Sequence, residues 1–364
     1  MATTLPASWY ADPAHHRREM EQVFARSWVG VGLDAHVARP GTYLTGNVGG
    51  VGVVVVRDTD GTLRAFRNVC RHRGAPLTEG HGEARALSCP YHGWVFRLDG
   101  SLARAAGVGR PDGFDPSCFG LFPVQVTTFA RSVLVNLDPH APPFDPGPLA
   151  AGLEPYGLDT LVPAGRDTYE CRFNWKVLLE NYSENYHTPF VHPQLPAAGY
   201  EYPMVCEGPL VFAWDRPLRP RDPSEQALHD CGPLDRGWAE VAGHVAPESF
   251  NNGAYVTVWP NTMLSMFAGF AATFRLTPTS VNTTRVERDY LWADGVPPER
   301  READRAATRA VVEQDLAICE ALQRTYDGGT SAHGVLSTEH EQGIAHLHRL
   351  LRTALGEPLP LRPV

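Results

Sequence analysis

The chain of 364 residues, 43% hydrophobic and 20% charged, sits near globular averages and is long enough for two cores, with no segment polar enough to stay disordered. A formal net charge of -9 argues against a nucleic-acid partner, because phosphate binding relies on clusters of Lys and Arg that no stretch supplies. The longest apolar runs, 51–56 and 263–274, are too short to span a bilayer, and the opening MATTLPASWYADPAHHRR has no apolar signal core, so a cytoplasmic protein without a membrane partner is expected. Seven cysteines, Cys70, Cys89, Cys118, Cys171, Cys206, Cys231 and Cys319, are an odd number without a secretion signal, which favours thiols and metal ligands over a disulfide framework.

Residues 9–29 read as helical, with Asp12 as N-cap and Pro13 at the first helical position. From 41 to 137, short β-branched runs (50–56, 63–69, 95–98 and 133–137) are punctuated by Asp60-Gly61 and Asp99-Gly100 turns, the texture of a small all-β module. Residues 138–148 are dense in proline, which obstructs helix and central strand alike, so a domain boundary is placed there. Beyond it come a helical stretch at 174–187, a Pro-rich region at 207–223, β-like segments at 254–259, 263–274 and 284–292, and helices at 297–324 and 339–355. This second domain reads as α+β.

The β module carries Cys70-Arg-His72 and Cys89-Pro-Tyr-His92, a C-x-H and a C-x2-H separated by sixteen residues, with Gly74 and Gly93 close behind. Each half puts one thiolate and one imidazole on a short loop, a donor set that suits zinc or a [2Fe-2S] cluster. Zinc pairs usually hold two or more residues between ligands. The single-residue C-x-H spacing favours ligands that point at different metals. Tyr91 and Trp94 are candidates to pack beside the bound group, or simply in the core.

In the second domain His187 and His192 stand five apart and would diverge by about 140° on an unbroken helix. Pro189 intervenes and disfavours helix at the residue before it, so the helix is expected to end near His187 and the chain to turn back with His192. Glu180, Glu184 and His187 share one face at i, i+4, i+7 spacing, with Trp175, Tyr182, Tyr186 and Phe190 interleaved. On the helix 306–326, Val311, Ile318 and Leu322 define an apolar stripe in which Asp315 is anomalous, because a buried carboxylate needs an ion pair or a metal; Glu313 and Glu320 can face water. Two histidines and one carboxylate form the facial triad of non-haem Fe(II) oxygenases.

The stretches Cys70-Arg-His-Arg-Gly-Ala-Pro-Leu77 and Cys89-Pro-Tyr-His-Gly-Trp94 resemble the Rieske motif almost residue for residue. Together with the downstream Tyr186-His187, His192 and distant Asp315, the chain resembles the α subunit of the Rieske non-haem iron oxygenases over nearly its whole length. That resemblance implies an N-terminal all-β Rieske [2Fe-2S] domain (39–145) and an α+β catalytic domain (146–364) with a central antiparallel sheet of helix-grip type. Residues 1–38 would be a helical segment packed on the catalytic domain. By the same resemblance Cys70 and Cys89 ligate one iron of the cluster, His72 and His92 the other, and His187, His192 and Asp315 a mononuclear iron. Glu184 takes the place of an acidic residue, more often Asp, that bridges to a Rieske histidine, here His92, of the adjacent subunit. The family further implies a homotrimer, a separate flavin/iron-sulfur reductase fed by NAD(P)H, in some systems through a ferredoxin, and O2 as co-substrate.

The Glu at 184, within residues 180–189, and the stretch Gln314-Asp315-Leu-Ala-Ile-Cys-Glu320 look like the branch acting on quaternary ammonium compounds such as glycine betaine, stachydrine or carnitine. Oxidation at an N-methyl carbon there gives a carbinolamine that collapses to formaldehyde and the demethylated amine. Such a cation calls for an aromatic cage, with Phe190, Phe212, Trp214, Tyr255, Trp259, Phe267 and Phe270 as candidates. An aromatic acid is the alternative substrate. A Rieske-type electron carrier or a zinc-bound structural protein is the non-enzymatic alternative.

Overall fold

Three of the four β-branched runs of the first half, all but 95–98, become strands of a seven-stranded sheet. In the computed structural model, which describes residues 3–109, 113–195, 200–217, 253–267, 269–329 and 334–357, its strands are β1 (Val29–Leu33), β2 (Thr42–Val48), β3 (Val51–Arg57), β4 (Leu63–Arg67), β5 (His81–Glu83), β9 (Pro123–Phe129) and β10 (Ser132–Asn136), in the order β1-β10-β9-β4-β3-β2-β5. A small three-stranded sheet is made by β6 (Leu87–Ser88), β7 (Val95–Phe96) and β8 (Leu102–Arg104). Val53 to Val56 are all fully buried, so β3 is a central strand. In the two Asp-Gly turns the aspartate accepts from the backbone two residues on, at 2.8 Å in both, Asp60 from Thr62 and Asp99 from Ser101, the local bond that makes Asp a turn residue.

The chain divides into two units, residues 20–144 and residues 1–19 with 145–364. Residues 1–38 therefore do not act as one helical segment. The first helices are short, α1 (Ser8–Ala11) and α2 (Pro13–Gln22), with Asp12 accepting from the Ala14 N–H at 2.8 Å. Helix does not continue to residue 29: Val29–Leu33, with two glycines that penalise helix, is instead a buried strand paired antiparallel with β10.

The second unit is built on an antiparallel sheet of β11 (Val162–Cys171), β13 (Met204–Glu207), β14 (Leu210–Trp214), β16 (Ala254–Val258), β17 (Thr262–Phe267), β18 (Phe270–Ser280) and β19 (Thr283–Trp292), ordered β11-β19-β18-β17-β16-β14-β13. A two-stranded pair, β12 (Tyr200–Glu201) and β15 (Arg216–Pro217), lies apart. The apolar run 263–274 is thus a hairpin rather than one strand, and of the Pro-rich region 207–223 the residues from 218 on lie outside the described ones. Side chains alternate across a strand, so the register Asp167↔Arg288, Arg288↔Phe274, Phe274↔Met263 and Met263↔Thr257 sets one cross-strand row on a single face.

Across this sheet lie α3 (Trp175–Tyr182), α5 (Pro298–Asp327) and α6 (Gln342–Leu355), with the single turn α4 (Thr188–Val191) between α3 and β12. Asn174 caps α3 by accepting from the Lys176 N–H at 3.1 Å. The helix ends at Tyr182, five residues earlier than its sequence pattern suggests. There Ser183 turns its hydroxyl back on the Leu179 carbonyl (2.7 Å) and across to Thr257 Oγ1 (2.8 Å), local bonds that compete with helical continuation.

Candidate active site

The two loops of the first unit are built alike. In each, the cysteine N–H donates to the carbonyl five residues on (Cys70 to Ala75 and Cys89 to Trp94, both 2.7 Å), and the cysteine carbonyl accepts from a glycine four residues on (Gly74 and Gly93, both 3.0 Å). Those glycines sit at φ 79° and 67°, a conformation that costs any residue with a Cβ. Cys70 and Cys89 are 3% exposed, whereas His72 and His92 face solvent. Their Nδ1 atoms stand 3.1 Å apart, close to the ~3.4 Å that two nitrogens on one tetrahedral metal would show with bonds of about 2.1 Å. Burial and the neighbouring Cys89 push the Cys70 thiol up, while the His72 and Arg73 backbone N–H groups point at its sulfur. Trp94 is buried, stacks on His72 at 5.1 Å, and its indole N–H has no acceptor among the described residues. Tyr91 instead lies exposed against His92 at 3.8 Å, with Arg73 over its ring.

In the second unit the structure brings His187, His192 and Asp315 together, with one donor atom of each within 4.8 Å of the others. Both histidines converge through Nε2, which lie 3.3 and 3.1 Å from Asp315 Oδ1. Both are held from behind at Nδ1, His187 by Glu184 Oε1 (2.5 Å) and His192 by Gln314 Oε1 (2.8 Å). An acceptor at Nδ1 keeps the proton there and leaves the Nε2 lone pair for a metal. Burial would lower the pKa of His187, but Asp315 and Glu184 outweigh it and raise it to about 9; Asp315 is held below its ordinary value, against its own burial, by the two histidines. Asp315 Oδ1 is buried and, among the described residues, accepts no hydrogen bond. Two imidazole Nε2 atoms converging on one carboxylate oxygen fit a divalent cation, which would take the place of the proton this cluster otherwise retains.

The route to this arrangement differs from the sequence pattern. Pro189 does not end the helix but opens α4, whose N- and C-caps are His187 and His192. Glu184 and His187 therefore lie beyond α3 and leave Glu180 behind on it, where it accepts from Tyr10 Oη (2.7 Å) and meets His348 Nε2 (3.0 Å). On α5, Ile318 and Leu322 are 39% and 42% exposed, and the buried neighbours of Asp315 are Val312, Leu316 and Cys319. Glu313 is exposed, but Glu320 is half-buried and accepts from the Arg172 N–H at 3.0 Å. The six described cysteines are all free, and Cys231 lies outside the described residues.

A cavity of ≈ 160 Å³ reaches the triad, walled by Tyr182, Tyr202, Tyr255, Phe267 and Phe274 among others. Of the seven cage candidates only Tyr255 and Phe267 line it; Phe190 is 79% exposed, and Phe212, Trp214, Trp259 and Phe270 are elsewhere. Two charged residues that sequence reasoning missed also line it, Asp215 and Arg288. A signal for Arg288 existed: period-two alternation along β19 puts it on the inward face with Val286, Tyr290 and Trp292.

A model of the Rieske [2Fe-2S] domain matches residues 27–115, and one of the ring-hydroxylating alpha subunit (catalytic domain) matches residues 158–357. The chain belongs to the Rieske-type ring-hydroxylating oxygenase α subunits. It is an oxygenase that carries a Rieske [2Fe-2S] cluster and a mononuclear iron and takes its electrons from a reductase. It is 32% identical to the carnitine monooxygenase oxygenase subunit of Escherichia coli (strain K12) over 96% of this chain and 93% of that one, and 27% identical to the chloroplastic choline monooxygenase of Spinacia oleracea over 97% and 79%. The quaternary ammonium Rieske monooxygenase CntA in complex with L-carnitine superposes with a TM-score of 0.80 at 26% identity, over 97% and 96% of the two chains. Among the described residues no helix is long and apolar enough to cross a membrane.

Proposed function

We propose that this oxygenase removes an N-methyl group from a small quaternary ammonium compound. The observation that carries the reading is the aromatic cavity opening on the His187, His192 and Asp315 triad. Ring faces bind a cation that offers no hydrogen-bond donor, and Asp215 adds a negative charge to the wall. His187, His192 and Asp315 would hold the mononuclear iron, with Glu184 and Gln314 fixing the imidazole tautomers. Iron bound there supplies the activation of O2 that oxidises a C–H bond. The aromatic walls hold the N-methyl carbon near the triad and keep water away. With two electrons and two protons, one oxygen atom enters the methyl C–H bond and the other leaves as water; the carbinolamine then releases formaldehyde and the tertiary amine.

Cys70 and Cys89 would hold one cluster iron, and His72 and His92 the solvent-facing one. Electrons would pass from His92 of one subunit to Glu184 and His187 of the next in a homotrimer located in the cytoplasm, delivered by a flavin/iron-sulfur reductase using NAD(P)H. The solvent exposure of His72 and His92 and the direct Glu184–His187 contact support that route. A CntA structure is described as giving insight into carnitine oxidation and inter-subunit electron transfer.

Single turnover tests the reading: the protein is reduced anaerobically, betaines or aromatic acids are added in turn, O2 is admitted, and formaldehyde and hydroxylated products are assayed. Formaldehyde from a betaine is expected. Hydroxylated aromatic product alone, or no product with both metal sites loaded, overturns the substrate class.

A further inference from the structure

Two arginines on neighbouring strands of the catalytic sheet are buried, and the fold treats them differently. Arg275, 2% exposed on β18, is paired with Asp289 at 2.7 Å and Glu287 at 3.4 Å. Arg288, 3% exposed on β19, lines the cavity and has no carboxylate within 4.0 Å among the described residues. Among the described residues its one hydrogen bond runs from Nη1 to Tyr290 Oη (3.0 Å) and its buried Nε has no partner, while its guanidinium lies over Phe274 (4.9 Å) and Tyr290 (4.5 Å). Tyr290 Oη in turn donates to Asp167 (2.7 Å), but that carboxylate already accepts from Arg305 and from Arg309 (3.0 Å). One carboxylate thus serves two arginines directly and Arg288 only through a phenol. A buried guanidinium left without an anion is costly, and its flat fork matches a carboxylate in two-point geometry.

We propose that Arg288 anchors the carboxylate of a zwitterionic substrate, so that the enzyme selects trimethylammonium compounds bearing a carboxylate over those bearing an alcohol. This rests on the quaternary-ammonium reading and narrows it. The cavity wall carries both signs, Arg288 for the carboxylate and Asp215, beside Tyr255 Oη at 3.3 Å, for the ammonium. Tyr290 and Asp167 are positioning residues that hold the guanidinium against the wall. The relatives include enzymes named for carnitine and for choline, which differ in possessing a carboxylate, so the anchor decides between the two kinds of substrate.

The test is anaerobic titration calorimetry on the metal-loaded protein with glycine betaine and γ-butyrobetaine against choline. The wild type is expected to bind the better of the two carboxylates about 30-fold more tightly than choline, ~2 kcal/mol for one charge-assisted two-point contact. Arg288→Gln should remove that preference while choline binding changes less than about threefold, and Arg288→Lys should restore part of it. The cluster's visible spectrum and a thermal melt check that each variant is folded, and the wild-type comparison needs no variant. Equal binding of choline and betaines by the wild type, or equal weakening of both by Arg288→Gln, overturns the anchor. Formaldehyde from a betaine with Arg288→Gln binding it normally overturns the anchor alone. Arg288-dependent binding of benzoate with no betaine bound supports the anchor and overturns the substrate class.

Discussion

Replacing Glu19 by Gln removes one charge from a fully buried position on α2 and leaves Lys176, 2% exposed at the start of α3, without its anion. In the native protein Glu19 receives Lys176 Nζ at 2.5 Å, Trp175 Nε1 at 2.8 Å and His15 Nε2 at 3.3 Å. Burial pushes the Glu19 carboxyl up, yet Lys176, His15 and Trp175 outweigh it and hold it below its ordinary value. Breaking such a pair by removing one partner costs about 3–5 kcal/mol. For a unit of roughly 150–250 residues that is ~2–4 °C per kcal/mol, so Glu19→Gln should lower its melting temperature by about 6–20 °C. Tryptophan fluorescence reports this unit through the buried Trp175, and cluster absorbance reports the other, which should melt unchanged. Adding Lys176→Met removes the orphaned charge and should recover at least about half of the loss. A single variant melting within about 2 °C of wild type, or a double variant no more stable than the single one, would refute the reasoning.

Asp315→Ala should strip the mononuclear iron while the cluster's visible absorption persists, as read by metal analysis and spectroscopy, and Gln314→Leu should weaken iron binding by about 10–100-fold through loss of the His192 tautomer. Arg305, Arg309 and Tyr290 hold the Asp167 carboxyl at about 2 against its burial. Its unfolded value is about 3.9, so its contribution is complete above that pH and is lost as pH falls toward 2. Urea midpoints should therefore drop more steeply between about pH 4 and 2 in wild type than in Asp167→Asn, and parallel curves would contradict this. A methyl at Gly343 would run into the Ser183 carbonyl oxygen and lie 2.9 Å from Met204 Sδ; Gly343→Ala should cost about 1–3 kcal/mol by overpacking, read as a lower midpoint in the same unfolding experiment.

The cluster loops were legible because each is a short, contiguous run in which cysteine, histidine and glycine spacing is set by one turn. The triad was legible in its histidines and only obliquely in its carboxylate. Asp315 does meet them, yet the stripe that drew attention to it is wrong: α5 buries Val312, Leu316 and Cys319, while Ile318 and Leu322 face out. A helix of mixed composition leaves its buried face to be decided by what it packs on, which local sequence does not contain. The early end of α3 was hidden for the same reason, since the Ser183 hydroxyl that closes it bonds Thr257, a residue 74 positions away. The cavity was the least legible part. Its walls come from six strands, three helices and the loops between them, so an aromatic residue's presence in the sequence said little about which surface it would cover.

The division of the chain also sets an order in time. Residues 20–144 contain an entire sheet together with Cys70, His72, Cys89 and His92. The first helices must wait: the Tyr10 carbonyl accepts from Gln323, 313 positions on, and Arg18 pairs with Glu357, 339 positions on. At a synthesis rate of about 5–20 residues per second, that is a delay of roughly 15–60 s. Cys70, His72, Cys89 and His92 thus leave the ribosome as a set well before Asp315 joins His187 and His192, and the amino-terminal segment docks only once the residues around 323–357 have been made.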